Sequence, residues 1–438
     1  MDRCLGFVSP IMAQLETRGK LPYISAMREF LKALGPAVIV ASVVLGPGSI
    51  LSNSKVGAAY GFGMTWVVVL AATLMICMTA LGARLGVVLE RSLCEELAFR
   101  IGRPFALLVG LTIFCVCAAF QYANNLGVLA AVEPWLDENS ANGEWWKSGN
   151  LILLGLNAAI FVFLFGLKRI YAALEKLMML MVGLMITAFV GNFLYLIASG
   201  LPQAEPAVLE TAPKSADPVM TVIALVGTTF SVAGAFYQAY LVREKGWTLK
   251  DLSKGTLDSV AAISVLGVIS LVIMMTAALS FHGTNVELQS AADVARQLEP
   301  LFGPAAVWLF SLGILAAALS SFLVNAMIGG AMLSDGLGLG GRMDALPTKL
   351  FTALVLLMGM LVALILPSQD DRVGLVVFAQ AMVVIGFPLL AVALLYLATR
   401  SDLPGKQSIP RWMVSASCVG LVVVLASAAR VVWGLVVK

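Results

Sequence analysis

The chain has 438 residues, 60% of them hydrophobic and 12% charged, with a mean hydropathy of +0.95. A soluble protein carries about twice that share of charge, and a net charge of only +3 argues against a nucleic-acid partner. Apolar runs of roughly 20 residues, each enough to cross a bilayer as a helix, recur from end to end, so the composition predicts an all-α polytopic membrane protein partnered by the lipid bilayer.

Met1 to Lys20 alternates polar, charged and apolar side chains, and neither a signal peptide nor a cleavage site is expected there. About eleven transmembrane helices follow by apolar run length: Leu34 to Tyr60, Met64 to Leu89, Phe105 to Val132, Leu151 to Leu167, Tyr171 to Ser199, Val219 to Val242, Ser259 to Phe281, Pro304 to Leu333, Leu350 to Leu366, Val373 to Ala398 and Trp412 to Val436. Two of these carry interruptions. In the first, Gly46-Pro47-Gly48-Ser49 falls near the expected bilayer midplane. Glycine permits unusual backbone angles, proline removes an amide donor, and a break is tolerable in lipid only where it faces protein or a polar cavity. In the sixth, Ser231-Val232-Ala233-Gly234-Ala235 interrupts the run in the same way.

Basic residues fall in every second connection, from Arg18, Lys20, Arg28 and Lys32 through Arg100 and Arg103, Lys168 and Arg169, Arg243 and Lys245, Arg342 and Lys349, to Arg400 and Lys406. That alternation predicts a cytoplasmic N-terminus, an external C-terminus and a plasma (inner) membrane location. The two broken helices are five spans apart, an odd offset, so matching elements run in opposite directions. The pattern predicts a 5+5 inverted repeat plus one helix, with broken helices 1 and 6. One transporter domain is expected, with a cytoplasmic segment 1–33, a first repeat over 34–199, a second over 218–399 and an extra helix over 411–436. The six cysteines lack paired metal-ligand spacing and read as packing residues. The spans hold no cluster of nucleophile, acid and base, so an enzyme is not expected.

With both breaks located, the chain resembles the Nramp family of proton-coupled divalent-metal transporters, which have the LeuT-type fold. Gly46-Pro47-Gly48-Ser49 with Gly57-Ala58-Ala59-Tyr60-Gly61 is similar to that family's Asp-Pro-Gly-Asn segment and its continuation. Ala83-Arg84-Leu85-Gly86, Phe281-His282-Gly283, the stretch Leu298 to Ala306 and Ser320-Ser321 resemble its second, seventh and eighth helices and a joining loop. The resemblance implies an aspartate and an asparagine as metal ligands where this chain has Gly46 and Ser49, and a Met-Pro-His segment with a metal-binding thioether where it has Ser231, Val232 and Ala233. It implies a histidine where Gln238 stands and proton-carrying acids where Gln121 and Asn124 stand. Gln380 is the one clear survivor of the implied site.

The expected substrate site comprises Gly46, Gly48, Ser49, Thr228, Thr229, Ser231, Ala233, Gly234, Gln238 and Gln380. A coupling-ion or pathway role is expected for Lys55, Gln121, Asn124, Asn125, Ser320 and Ser321, the last two as hydroxyls that could hold Na⁺. Structural alternatives stand beside these: a snorkelling or ion-paired Lys55, interhelical glue for Gln121, Asn124 and Asn125, and a surface role for His282. With no carboxylate in the site and half-helix N-termini offering N–H groups, the first expectation is a secondary transporter of a small oxyanion such as bicarbonate, with Na⁺ rather than protons as the coupled ion. No other cofactor is expected. The alternatives are a divalent-cation carrier (Mg²⁺ or Mn²⁺) without proton coupling, since Mg²⁺ dehydrates reluctantly and binds through water, and a non-transporting sensor or scaffold.

Overall fold

The computed structural model describes residues 35–133, 149–165, 168–199, 218–284, 286–365, 372–400, 402 and 409–437, and among them there is no strand. The basic N-terminal segment and the acidic connections 134–148 and 200–217 lie outside the described residues. The membrane helices are α1 (Pro36–Val44), α2 (Pro47–Tyr60), α3 (Thr65–Val88), α4 (Arg103–Val132), α5 (Asn150–Phe165), α6 (Lys168–Ala198) and α7 (Pro218–Thr229). They continue with α8 (Val232–Glu244), α9 (Leu252–Phe281), α10 (Ala305–Gly336), α11 (Leu346–Ile365), α12 (Arg372–Met382), α13 (Phe387–Ala398) and α14 (Arg411–Val436).

Among the described residues, nine stretches are long and apolar enough to cross a membrane, against an expected count of about eleven. The difference has two local causes. Pro47–Val88 forms one 42-residue stretch because a single 3-10 turn at Gly61–Met64 joins α2 to α3, and Asn150–Val162 falls short of a full crossing by the same measure. At that turn Gly61 has φ +58, and a Cβ there would crowd the His282 ring.

Both expected breaks are present. Helix α1 stops at Val44 because Pro47 has no N–H to continue the ladder and its ring clashes with the carbonyl four residues back. Gly46 is extended, with φ −94 and ψ −177, and α2 then starts with Pro47 in its first turn. The second break contains no proline. Phe230 N–H still bonds to Val226 O at 2.8 Å, after which Ser231, at φ −78 and ψ 95, leaves helical geometry and α8 begins.

Within lipid, helices associate through close packing rather than hydrophobic exclusion, and small residues at crossings permit it. Gly82 and Gly86 on α3 face the backbone of Ala235 and Ala239 on α8, leaving no room for a Cβ at either glycine. Gly110 faces the Met332 carbonyl and Gly336 the Ala106 carbonyl, so α4 and α10 pack backbone to backbone along their length. Gly57 closes on Met274 in the same way, tying α2 to α9. These crossings hold the two breaks at the centre of the bundle.

The two faces of the bundle are closed by different chemistry. On the face where α1 begins, the buried Asp258 carboxylate accepts the N–H groups of Gly35 and Ala37, the latter at 2.8 Å. An acid at a helix N-terminus complements its dipole. Arg243 there donates to the carbonyls of Leu89, Glu90 and Arg91, and Tyr240 donates to Asp335 at 2.6 Å. On the opposite face, where α2 ends, the chain between α9 and α10 folds over the bundle through the short helices Ala291–Ala295 and Glu299–Phe302.

Candidate functional site

Gly46 sits where three elements meet. A Cβ on it would stand 3.0 Å from Ser321 Oγ on α10 and 3.6 Å from Asn124 Oδ1 on α4. Asn124 Nδ2 donates to Gln121 Oε1 at 2.9 Å, and Gln121 Nε2 donates to Phe322 O at 2.8 Å. Asn125 Nδ2 donates to Gln121 O at 2.7 Å, and Asn157 Nδ2 on α5 donates to Asn125 Oδ1 at 2.8 Å. All four amides are buried. The first break therefore opens onto a ladder of neutral groups that neither gain nor lose protons at physiological pH. The glue and pathway roles expected for Gln121, Asn124 and Asn125 fall on one set of atoms.

Gln380 connects the two breaks. Its side-chain amide lies against Gly48 on α2, while its backbone carbonyl would be 2.6 Å from a Cβ on Gly227 of α7. Gln380 Oε1 is buried without a hydrogen-bond partner, as is Thr229 Oγ1 at the end of α7. Unsatisfied buried acceptors cost free energy and point to a missing donor. Thr228, by contrast, spends its hydroxyl proton on its own helix, on Leu225 O at 3.0 Å.

The anion argument is met only in part: the N–H groups of Gly48, Val232 and Ala233 have no helical partner, whereas others at the two starts are taken. It required unpaired N–H groups at the starts of α2 and α8. At α8 the Ser231 hydroxyl accepts from Gly234 N at 3.3 Å, and Ala235 N donates to Ser231 O at 3.1 Å. At α2, Ser49 N and Ile50 N both donate to Gly46 O, at 3.1 and 3.3 Å, and Pro47 has no N–H to give. Of the expected site's side-chain atoms left without partners, Gln380 Oε1 and Gln238 Oε1 can only accept, Gln238 Nε2 can only donate and Thr229 Oγ1 can do either. Gln380 Oε1, beside the first break, offers an acceptor to a cation or to the water protons of a hydrated one.

Other expected residues are placed less centrally. Gln238 is buried on α8 beside Asp258, about two helical turns beyond the break. Ser320 donates to Ala317 O at 3.0 Å on its own helix, which leaves its lone pairs free, and Ser321 Oγ lies beside Gly46. Lys55 is half-buried on α2. His282 Nδ1 lies 3.2 Å from Ala58 O, a contact between helix ends. Ala233 and Gly234 line a cavity of about 10 Å³ with Val40, Val44, Phe120 and Asn325, room for about one water. Among the described residues no group of three or more His, Cys, Asp or Glu could hold a metal ion.

Sequence reading missed Asn157, Asn325 and Asp258. Asn157 stands alone among apolar residues of its span, and a lone polar side chain in a membrane helix signals a partner on a neighbour. Asp258 fell one residue outside the expected seventh span.

Residues 37–434 match the family described as "Natural resistance-associated macrophage protein-like". A protein named divalent metal cation transporter MntH from Deinococcus radiodurans is 26% identical over 420 residues, covering 93% of this chain and 91% of that one. Its namesake from Klebsiella pneumoniae is 26% identical over 392 residues, covering 89% and 91%. Among solved structures, an Eremococcus coleocola manganese transporter, in complex with an aromatic bis-isothiourea substituted compound, is similar with a TM-score of 0.72 at 16% identity, covering 92% of this chain and 86% of that one. Mhp1, a nucleobase-cation-symport-1 family transporter, gives a TM-score of 0.55 at 12% identity, covering 91% and 92%.

Proposed function

We propose, for a chain that belongs to the Nramp family over residues 37–434, that it is an integral plasma-membrane transporter carrying a divalent metal cation by alternating access, with the cation still largely hydrated and no coupled proton. The curated relatives are named divalent metal cation transporters, which supports the cation over the oxyanion. The observation that carries the reading is the unpartnered, buried Gln380 Oε1 at the junction of both breaks.

Stripping the hydration shell from a divalent ion is very costly without carboxylates to replace it. A site built of amides, hydroxyls and a glycine offers acceptors for water protons instead. Mg²⁺, which keeps its waters tightly, fits that donor set, whereas a transition metal bound directly would gain from a thioether or carboxylate that this site lacks. The amide ladder of Gln121, Asn124, Asn125 and Asn157 supports the absence of proton coupling. The basic connections beside α1 support a cytoplasmic α1 face.

The test is competition by cobalt hexaammine, an inert ion that resembles a hydrated divalent cation and cannot exchange its ligands. It should inhibit Mg²⁺ uptake into proteoliposomes competitively. Bicarbonate uptake insensitive to that ion, with no Mg²⁺ or Mn²⁺ flux, would favour the oxyanion reading; no flux of any ion would favour the scaffold.

A further inference from the structure

We propose that Gln297 is a positioning residue that locks the α2 face shut, acting through Ser54 on the half-helix that carries half of the site. The side chain is fully buried in the chain that covers this face. Its Nε2 donates to Ser54 Oγ at 3.1 Å and to Val294 O at 2.8 Å, and its Oε1 lies 3.4 Å from the same Ser54 hydroxyl. Ser54 is on α2, two turns beyond the break.

The backbone of Gln297 is anchored separately. Its carbonyl accepts from Asn192 Nδ2 on α6 at 2.7 Å and from Ser280 Oγ on α9 at 3.3 Å. Asn192 Oδ1 in turn accepts from Leu301 N at 3.0 Å. The main chain of this residue is thus fixed to α6 and α9, while the side chain alone reaches α2. When the path to its own face opens, α2 moves together with α9, to which Gly57 ties it, and α6, which holds the Gln297 carbonyl through Asn192, is the frame against which it moves. The Gln297 amide spans that boundary. A buried polar contact of this kind has only two satisfactory states, made or hydrated, so it behaves as a latch: α2 leaves only when water reaches the Ser54 hydroxyl and the Gln297 amide. Arg372 on α12 lies 3.6 Å from Glu133 and donates to Leu129 O at 3.3 Å, fastening α12 to the end of α4 on the same face without touching α2. The inference rests on alternating access at the breaks and not on which ion is carried.

The test measures accessibility, so it stands apart from the substrate question. Ser52 is buried on α2 with its hydroxyl unpartnered, and Ser52→Cys places a thiol behind the latch. In purified protein in nanodiscs, the chain without this reporter gives the blank for native cysteines. A water-soluble thiol reagent should label the reporter slowly in the otherwise unaltered chain. Gln297→Ala, which keeps both backbone bonds, should raise the labelling rate roughly tenfold, the population shift expected when a buried hydrogen bond is lost. Ser54→Ala should raise it similarly, and the double variant should label no faster than the faster single one. Rates unchanged by both substitutions, or increases that multiply independently, would overturn the proposal. If Gln297→Ala does not purify as a monodisperse protein, Ser54→Ala alone decides: an unchanged rate overturns the latch.

Discussion

The side-chain amide of Gln380 occupies the space in front of Gly48 where a Cβ would stand. Glycine is needed at position 48 for that approach, not for backbone conformation. Gly48→Ala should therefore cost about 1–3 kcal/mol by overpacking, read as a fall in melting temperature, and should abolish uptake. Pairing it with Gln380→Ala should restore the melting temperature but not the uptake, because the proposed site then lacks its amide. Recovery of both would remove Gln380 from the site.

Gly46 leaves room for a carboxylate only if Ser321 yields. The nearest atom to a Cβ there is Ser321 Oγ at 3.0 Å, the end of a small side chain that can rotate. Gly46→Asp combined with Ser49→Asn should tighten Mn²⁺ binding by at least tenfold, since one charge at a buried cation site is worth more than about 1.4 kcal/mol. Calorimetry with the purified protein reads this directly. A bicarbonate flux left unchanged by the two substitutions would separate that flux from this site.

Proton behaviour should be transferable to the ladder. Gln121 joins Asn124, Asn125 and Phe322 O. Gln121→Glu places a titratable group among them and should make uptake depend on pH between about 5 and 8, the range in which buried carboxylates with raised pKa titrate. The unaltered chain should give a flat profile over the same range. Gln121→Leu should instead destabilise by about 1–3 kcal/mol, because it leaves the Asn124 amide unpaired and removes the added bond to the Phe322 carbonyl.

An ion-pair ring on the α1 face predicts how stability responds to acid. Arg400 and Arg100 each contact both Glu96 and Asp402, at 2.6–2.9 Å. The Arg400 hydrogen bond, followed by that from Arg100, holds the Asp402 carboxyl well below the usual carboxylate range. A depressed carboxylate pKa contributes stability above its unfolded value, near pH 4, and loses it as pH falls further toward the folded value. The melting temperature should be level from pH 7 to about 5 and drop below about 4, and Asp402→Asn should shrink that drop. Asp402 is exposed, so 1 M salt should blunt the effect.

The membrane class, the two breaks and the family resemblance were legible because each has a one-dimensional signature: run length, Gly-Pro-Gly, and the order of short motifs. The partners of the breaks were not. Gly46 meets Asn124 and Ser321 from helices far away in sequence, whereas the Ser231 cap on α8 is a local bond to Gly234 N of the kind a serine at a helix start signals. That cap takes one of the N–H groups on which the electrostatic argument relied, Gly234 N, and leaves those of Val232 and Ala233 without a helical partner. Gln238 matched a motif position, yet it sits beside Asp258. Gln297 and Asn157 carried no motif and emerged only through their contacts.

The central claim, that a neutral site carries a hydrated divalent cation without protons, is tested most directly in proteoliposomes holding a Mg²⁺-sensitive dye and a pH dye together, in sodium-free buffer. The account predicts saturable Mg²⁺ uptake with no acidification of the lumen and loss of uptake in Gln380→Ala. Mg²⁺ or Mn²⁺ uptake accompanied by proton entry, or bicarbonate flux with no divalent cation flux at all, would contradict it.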